Sequence, residues 1–302
     1  MQLIFATPSS ALARWQTARV IQLLQAAQPG LECRELVIPT TGDAVNDYPI
    51  NEIGTKSLFT SELEEAVLSA KAHAAVYSLK DLPVGPMPGM AVAAIPERGS
   101  ALDALISANG QTLFDLPEGA RIGTSSSRRA AQLMAQRPDF AILPLPGSVA
   151  ARLRNGWDGE YDAIVLGEAD LAHLGLQSHI NQVLSLELML PVPGQGALAV
   201  QCRADDAETL ALLAAIHNPR IAAAVDAERA FLANLGDGSS LAVAAYAEND
   251  RGNIILTGAV FSPDGKQAIR LSAVDTEPDT LGERLAGFVL ERGAAGLLKA
   301  SV

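Results

Sequence analysis

Apolar and polar residues alternate between two periods along the first third of the chain, and that switching predicts its elements. Gln2 to Ala6 reads as an extended run, Ala11 to Ala27 as a helix and Leu31 to Ile38 as a second extended run. Leu63, Ala66, Val67 and Ala70 recur at i, i+3, i+4 and i+7, the spacing of one helix face; Thr60 or Ser61 is placed to cap it and Glu64 lies near its positive end. That helix leads into the strand Ala74 to Ser78. Strand and helix in alternation predict an α/β fold with a largely parallel sheet. The polar stretch from Thr40 to Ser57 is long for a structureless loop within a domain, and reads as a lid.

A second unit of the same kind is predicted from Ala101 to Leu190. Its strands are Arg121 to Thr124, Phe140 to Leu145 and Asp162 to Leu166, and helices start near Ser127 and Ser148. Pro and Gly punctuate both borders, at Ile95 to Ser100 and at Leu190 to Gly196, and two crossings between lobes imply a hinge. Gly194-Gln195-Gly196-Ala197-Leu198-Ala199 echoes a dinucleotide fingerprint, but the residues after it read as a strand rather than a helix. It is therefore assigned to the hinge. Beyond helices at Ala207 to Ile216 and Ile221 to Leu235 come three strand-like runs, Leu241 to Glu248, Asn253 to Phe261 and Gln267 to Val274. The turns Asn249-Asp250-Arg251-Gly252 and Pro263-Asp264-Gly265 join them, and a helix from Leu281 to Leu298 follows. The expected division is residues 1–96 with 197–216 as one α/β lobe, 101–190 as a second, and 219–302 as a small α+β domain.

A chain of 302 residues, 49% of them hydrophobic and 19% charged, has enough apolar surface for two or three cores. Its net charge of −12 opposes nucleic-acid binding, which needs a basic face to displace counterions, so any basic site is local. No cationic leader or long apolar span is evident, which argues against export or membrane insertion and for a cytoplasmic protein. Cys33 and Cys202 lie far apart in strand-like runs and are expected to be buried free thiols. The four histidines make no metal-ligand pattern.

Candidate chemistry gathers at two strand-to-helix junctions. In Gly123-Thr124-Ser125-Ser126-Ser127-Arg128-Arg129 a strand ends in hydroxyl residues and a helix begins with two arginines. Cations in a first turn oppose the helix dipole, so the pair reads either as a solvated couple or as side chains reaching outward to an anion. Tyr77-Ser78-Leu79-Lys80-Asp81-Leu82-Pro83 sits at the carboxyl end of a predicted strand, where open α/β sheets place ligands. Lys80 and Asp81 read either as a surface ion pair or as a cation with a carboxylate that stabilises positive charge and passes protons.

These segments resemble porphobilinogen deaminases, also called hydroxymethylbilane synthases. The resemblance is carried by Lys56-Ser57-Leu58-Phe59-Thr60-Ser61-Glu62-Leu63-Glu64, by the two junctions above, by Gly159-Glu160-Tyr161-Asp162-Ala163-Ile164, by Pro193-Gly194-Gln195-Gly196-Ala197 and by Ala227-Glu228-Arg229-Ala230. It spans nearly the whole chain in order. The resemblance implies two similar lobes, like those of periplasmic binding proteins, around a cleft, with a small α+β third domain. It implies a cytoplasmic, monomeric transferase of tetrapyrrole (heme and porphyrin) biosynthesis that condenses four porphobilinogen units into hydroxymethylbilane and releases ammonia. The position matching the family's aspartate is Asp81. A dipyrromethane cofactor is implied, its carboxylates met by Lys80, Arg128, Arg129 and Arg152 with Ser126 nearby. Ser10, Lys56, Phe59 and His173 match positions around substrate and active-site loop.

Four positions depart from the family pattern. Ser239 stands where the cofactor cysteine is expected, and Pro8, Pro146 and His173 where arginines line the cleft. A hydroxyl supplies almost no alkoxide near neutrality, so a thioether is replaced at best by a labile ether or by a primer held through charge. A protonated His173, which a nearby carboxylate favours, offsets part of the lost positive charge. Two readings follow: the transferase, favoured by Asp81, and a non-catalytic relative that binds a pyrrole or other small polycarboxylate, favoured by Ser239 and the missing arginines.

Overall fold

The structure is a computed structural model that describes residues 2–40, 60–85, 87–156, 158–236 and 242–299. The lid expected to end at Ser57, together with Lys56, Phe59 and Ser239, lies outside the described residues apart from Thr40. In chain order the first lobe holds β1 (Gln2–Thr7), α1 (Ala11–Ala27), β2 (Glu32–Val37), α2 (Ser61–Leu68), β3 (Ala74–Ser78) and β4 (Met90–Ala94). The second holds β5 (Asp103–Ser107), β6 (Arg121–Gly123), α3 (Ser127–Gln136), β7 (Ala141–Leu143), α4 (Val149–Asn155), β8 (Ala163–Gly167), α5 (Glu168–His173) and β9 (Gln182–Leu184). β10 (Leu198–Arg203) and α6 (Ala207–Ala214) return to the first lobe. The remainder is α7 (Pro219–Ala233), β11 (Val243–Asp250), β12 (Asn253–Phe261), β13 (Ala268–Asp275), α8 (Pro278–Glu291) and α9 (Ala294–Lys299).

Both lobes are built on one plan. The first sheet runs β2-β1-β3-β10-β4 and the second β7-β6-β8-β5-β9. In each, three parallel strands lie side by side, and the fourth, β10 or β5, is antiparallel to both neighbours. The sheets are thus mixed, where a largely parallel arrangement was expected. The reason is the crossing: β5 and β10 are the strands that enter each lobe from the hinge, next to the cleft. They must run away from the edge at which β3 and β8 end.

Period-two alternation places the cores. Leu3, Phe5, Val76 and Val200 face Val20 and Leu24 of α1, while Ala6, Ala75, Tyr77 and Ala199 face Leu63 and Val67 of α2. In the third unit β11-β12-β13 form an antiparallel sheet under α7 and α8, packed through Phe231, Leu256, Leu281 and Leu285. The β11–β12 turn is the two residues Arg251 (φ 53°) and Gly252 (φ 92°), both in the left-handed region that a tight hairpin needs. The helix expected from Leu281 to Leu298 is two helices, interrupted at Gly293 with φ 97°.

Candidate active site

The chain leaves β3 through a single 3₁₀ turn, Leu79–Asp81, that delivers Lys80 and Asp81 to the space between the lobes. This turn is fixed from two sides. The Leu79 N–H donates to the Ala197 carbonyl of the hinge at 2.9 Å, and Arg229 of α7 donates to the carbonyls of Leu82 (2.9 Å) and Pro83 (2.6 Å). The reading of Lys80 and Asp81 as a surface ion pair does not hold. The Lys80 Nζ lies 2.6 Å from Asp170 Oδ2, across the cleft on α5. Asp81 keeps contact with solvent while protein walls it in. That enclosure raises its pKa; Lys80 and Arg152 pull it down and Asp170 pushes it further up.

On the second lobe Ser126 caps α3, its Oγ accepting from the Arg129 N–H at 3.3 Å. Arg128 and Arg129 neither dangle in solvent nor reach outward, as the sequence suggested; both turn into the protein. They meet Asp103, which is fully buried at the start of β5, at 2.8 and 2.7 Å. Arg128 also donates to the Leu190 carbonyl, Arg129 to that of Val165, and Gln195 of the hinge to Asp103. Burial alone would raise the Asp103 pKa, but the two guanidiniums outweigh it and hold the carboxyl well below the usual range. The first-turn position disfavoured by the dipole is thereby satisfied by a carboxylate reached through the fold.

Arg152, on α4, presents a buried Nε with no hydrogen-bond partner among the described residues. Burial lowers its pKa, Arg129 adds to that, and Asp170 and Asp81 oppose it. His173, at the end of α5, stacks on Trp15 of α1 with ring centroids 4.0 Å apart and planes 14° from parallel. Its Nδ1 is buried without a partner among the described residues. Burial pushes its pKa below the ordinary 6.5 despite Asp170 and Glu97, which works against the protonated form that would offset the missing arginines. Ser10 caps α1, accepting from the Ala13 N–H at 3.3 Å. Pro8 follows β1 and Pro146 sits half-buried before α4, and neither carries a charge. Cys33 and Cys202 are free, in β2 and β10 of the first sheet, and burial raises both thiols, that of Cys202 to about 11. Among the described residues no group of His, Cys, Asp and Glu could hold a metal ion, and no helix is long and apolar enough to cross a membrane.

Three acidic residues escaped the sequence reading: Asp103, Asp170 and Glu228. Asp103 had a signal, a lone charge inside the otherwise apolar run Ala101 to Ile106. Asp170 had a weaker one, an acid in the turn following a buried strand. Glu228 lies in a segment that carried the resemblance but received no role; it is fully buried and accepts from Arg98 (2.7 Å), the Gly194 N–H (2.7 Å) and the Ala247 N–H (2.8 Å).

Two similarly built lobes, with charged side chains of both facing one another where their strands end, define a two-lobed α/β cleft protein. A family model described as porphobilinogen deaminase, dipyromethane cofactor binding domain, matches residues 3–211, and one described as porphobilinogen deaminase, C-terminal domain, matches residues 222–291. The chain belongs to the porphobilinogen deaminase family. It is 43% identical over 297 residues to a porphobilinogen deaminase of Roseiflexus castenholzii, covering 98% of each chain. It is 41% identical over 293 residues to one of Brevibacillus brevis, covering 97% of this chain and 95% of the other. Among solved structures it is similar to the VFT2 domain of Bordetella pertussis BvgS, at 16% identity and a TM-score of 0.43, over 71% of this chain and 86% of that one.

Proposed function

We propose that this chain is a working porphobilinogen deaminase, condensing four porphobilinogen units into hydroxymethylbilane with loss of ammonia. The observation that supports this most is Asp81: an exposed carboxylate that the turn after β3 delivers to the space between the lobes, within electrostatic reach of Lys80 and Arg152. A binder of carboxylates gains nothing from an anion there. A catalyst that expels ammonia from an aminomethylpyrrole does, because positive charge develops on the pyrrole as the amine leaves. Asp81, its pKa raised by desolvation, is placed to pass a proton to the leaving amine and to balance the positive charge left on the pyrrole.

The dipyrromethane cofactor fits this cleft through charge. Arg152 has a buried Nε with no partner among the described residues, a donor that one carboxylate of the cofactor would satisfy. Lys80, Arg128, Arg129 and Ser126 are the other proposed contacts, Arg128 and Arg129 reaching the cofactor only while they keep their bonds to Asp103. When bound, the cofactor supplies the free pyrrole carbon on which the chain is built. Ser239 offers no thiol for its attachment, and Cys33 and Cys202, within strands of the first sheet, offer none at the cleft. Ser10, Lys56, Phe59 and His173 are proposed on the substrate side; Ser10 retains its O–H for donation while its oxygen caps α1. We further take the three sheets as the cores of three domains, residues 1–96 with 197–216, 101–190 and 219–302. The protein is proposed to act as a cytoplasmic monomer, without nucleic acid, in keeping with its net charge of −12.

Incubation with porphobilinogen tests the role of Asp81. The parent releases ammonia, and Asp81→Asn lowers the rate by about 10²–10³ with little change in substrate affinity, as loss of a preorganised electrostatic group does. An Asp81→Asn protein turning over at the parent rate would end the case for Asp81. A parent that binds porphobilinogen without releasing ammonia is the non-catalytic relative.

A further inference from the structure

We infer that Asp170 is a specificity-determining residue of the cleft, an internal carboxylate that occupies the Lys80 ammonium and must be displaced before a ligand carboxylate can take its place. The inference rests on the proposed pyrrole-carboxylate ligand and adds a residue that the resemblance did not assign.

The pair joins the two lobes: Lys80 follows β3, and Asp170 lies in α5 beyond β8, 90 residues away in sequence. At 2.6 Å, with the two side chains 16% and 13% exposed, it is a charge-assisted hydrogen bond largely shielded from water. Backbone has been cleared for it. A Cβ on Gly167 would come within 2.9 Å of Asp170 Oδ2 and 3.6 Å of Lys80 Nζ, so the pair lies directly against the bare Cα of the residue that caps α5. Three residues on, His173 of α5 stacks on Trp15 of the first lobe, so one helix sets both contacts across the cleft.

Most cations on the cleft walls are thus already paired. Asp103 takes Arg128 and Arg129, Asp170 takes Lys80, and Arg152 has no ion-pair partner among the described residues. Asp103 is held by two guanidiniums, a carbonyl network and full burial, and cannot yield to a ligand without dismantling the lobe. Asp170 is bound by one ammonium at the edge of the cleft and can. Arg152 is therefore the ready carboxylate site and Lys80 a conditional one, opened only by a ligand that outcompetes Asp170. The cleft thus favours ligands whose first carboxylate is anchored elsewhere, and it discriminates against those that depend on Lys80 for initial capture.

Equilibrium binding of porphobilinogen to the parent, Asp170→Asn, Lys80→Gln and the double variant tests this, with ammonia release followed in parallel. Removing the competing charge should tighten binding roughly 10–100-fold, the span expected for one charge-assisted bond regained. The gain should vanish in the double variant. Asp170→Ser, which shortens the side chain as well, should show the same gain if Asp170→Asn folds poorly. Binding by Asp170→Asn equal to or weaker than that of the parent overturns the inference, as does a gain that survives Lys80→Gln, or the absence of binding in all four proteins. If the parent releases ammonia but Asp170→Asn binds no tighter, the inference fails and the proposed function stands. If Asp170→Asn binds tightly through Lys80 while no protein releases ammonia, the function fails and the inference stands.

Discussion

Asp103 shows how much of this site depends on charges that meet only in the folded chain. Its carboxylate is fully buried, with two guanidiniums and a side-chain amide around it. Breaking such a pair leaves uncompensated buried charge, so Asp103→Asn should cost roughly 3–5 kcal/mol at pH 7 in chemical denaturation. The pH dependence has a definite sign. The folded pKa is depressed, so the stabilisation is complete above the unfolded value of about 3.9 and drains as pH falls below it toward the folded value. The difference between parent and Asp103→Asn should therefore shrink from pH 5 to pH 3; a constant difference would contradict the assignment. His173 behaves in the same sense at higher pH: its folded pKa lies below 6.5, so its contribution is full above that value and lost on acidification. An NMR titration should place its midpoint below 6.5, and a midpoint above 7 would restore the cationic His173 that the sequence suggested. These pairings were illegible beforehand because Arg129 and Asp103 are 26 residues apart, and Lys80 and Asp170 90. The residue types at the junctions could be read from the sequence; their partners required the fold.

At the scale of elements, α7 carries two adjacent side chains with different tasks. Glu228 ties the hinge, through Arg98 and Gly194, to β11 through Ala247, and Arg229 grips the carbonyls that follow Asp81. Glu228→Gln keeps the shape and removes the charge, leaving Arg98 with a neutral partner. It should lower stability by roughly 3–5 kcal/mol, the cost of breaking a buried pair, with a smaller effect on turnover of the folded fraction. Arg229→Ala should do the reverse, lowering kcat roughly 10–100-fold through misplacement of Asp81 while KM moves little. Equal effects of the two variants on kcat would count against separate roles. Elements with strong periodicity were legible: Ala11–Ala27, Ala74–Ser78 and Asn253–Phe261 fall where the pattern put them. β4, β5 and β9 were not read as strands; at three to five residues each gives only one or two repeats of period two, and no strand-to-helix motif pointed to them.

For the molecule as a whole, punctuation at the two crossings revealed the lobes, and the change from alternating to consecutive strands revealed the third unit. Strand order did not follow, because the antiparallel setting of β5 and β10 arises from where the hinge delivers the chain. That hinge is itself paired, with Gly99 N–H to Gly196 carbonyl at 2.9 Å and Leu198 N–H to Glu97 carbonyl at 3.1 Å, so the crossings move as one ribbon. The lobes are joined across the cleft by Lys80–Asp170 and Trp15–His173, contacts that a ligand entering between them must rearrange. All of this serves one proposed reaction, and stoichiometry tests it most directly. Purified protein supplied with porphobilinogen alone should release four ammonia molecules for each hydroxymethylbilane formed, with ammonia measured enzymatically and the bilane by its cyclisation to uroporphyrinogen. Consumption of no porphobilinogen over many hours at protein-equivalent concentration, with no ammonia above the buffer control, would contradict the account.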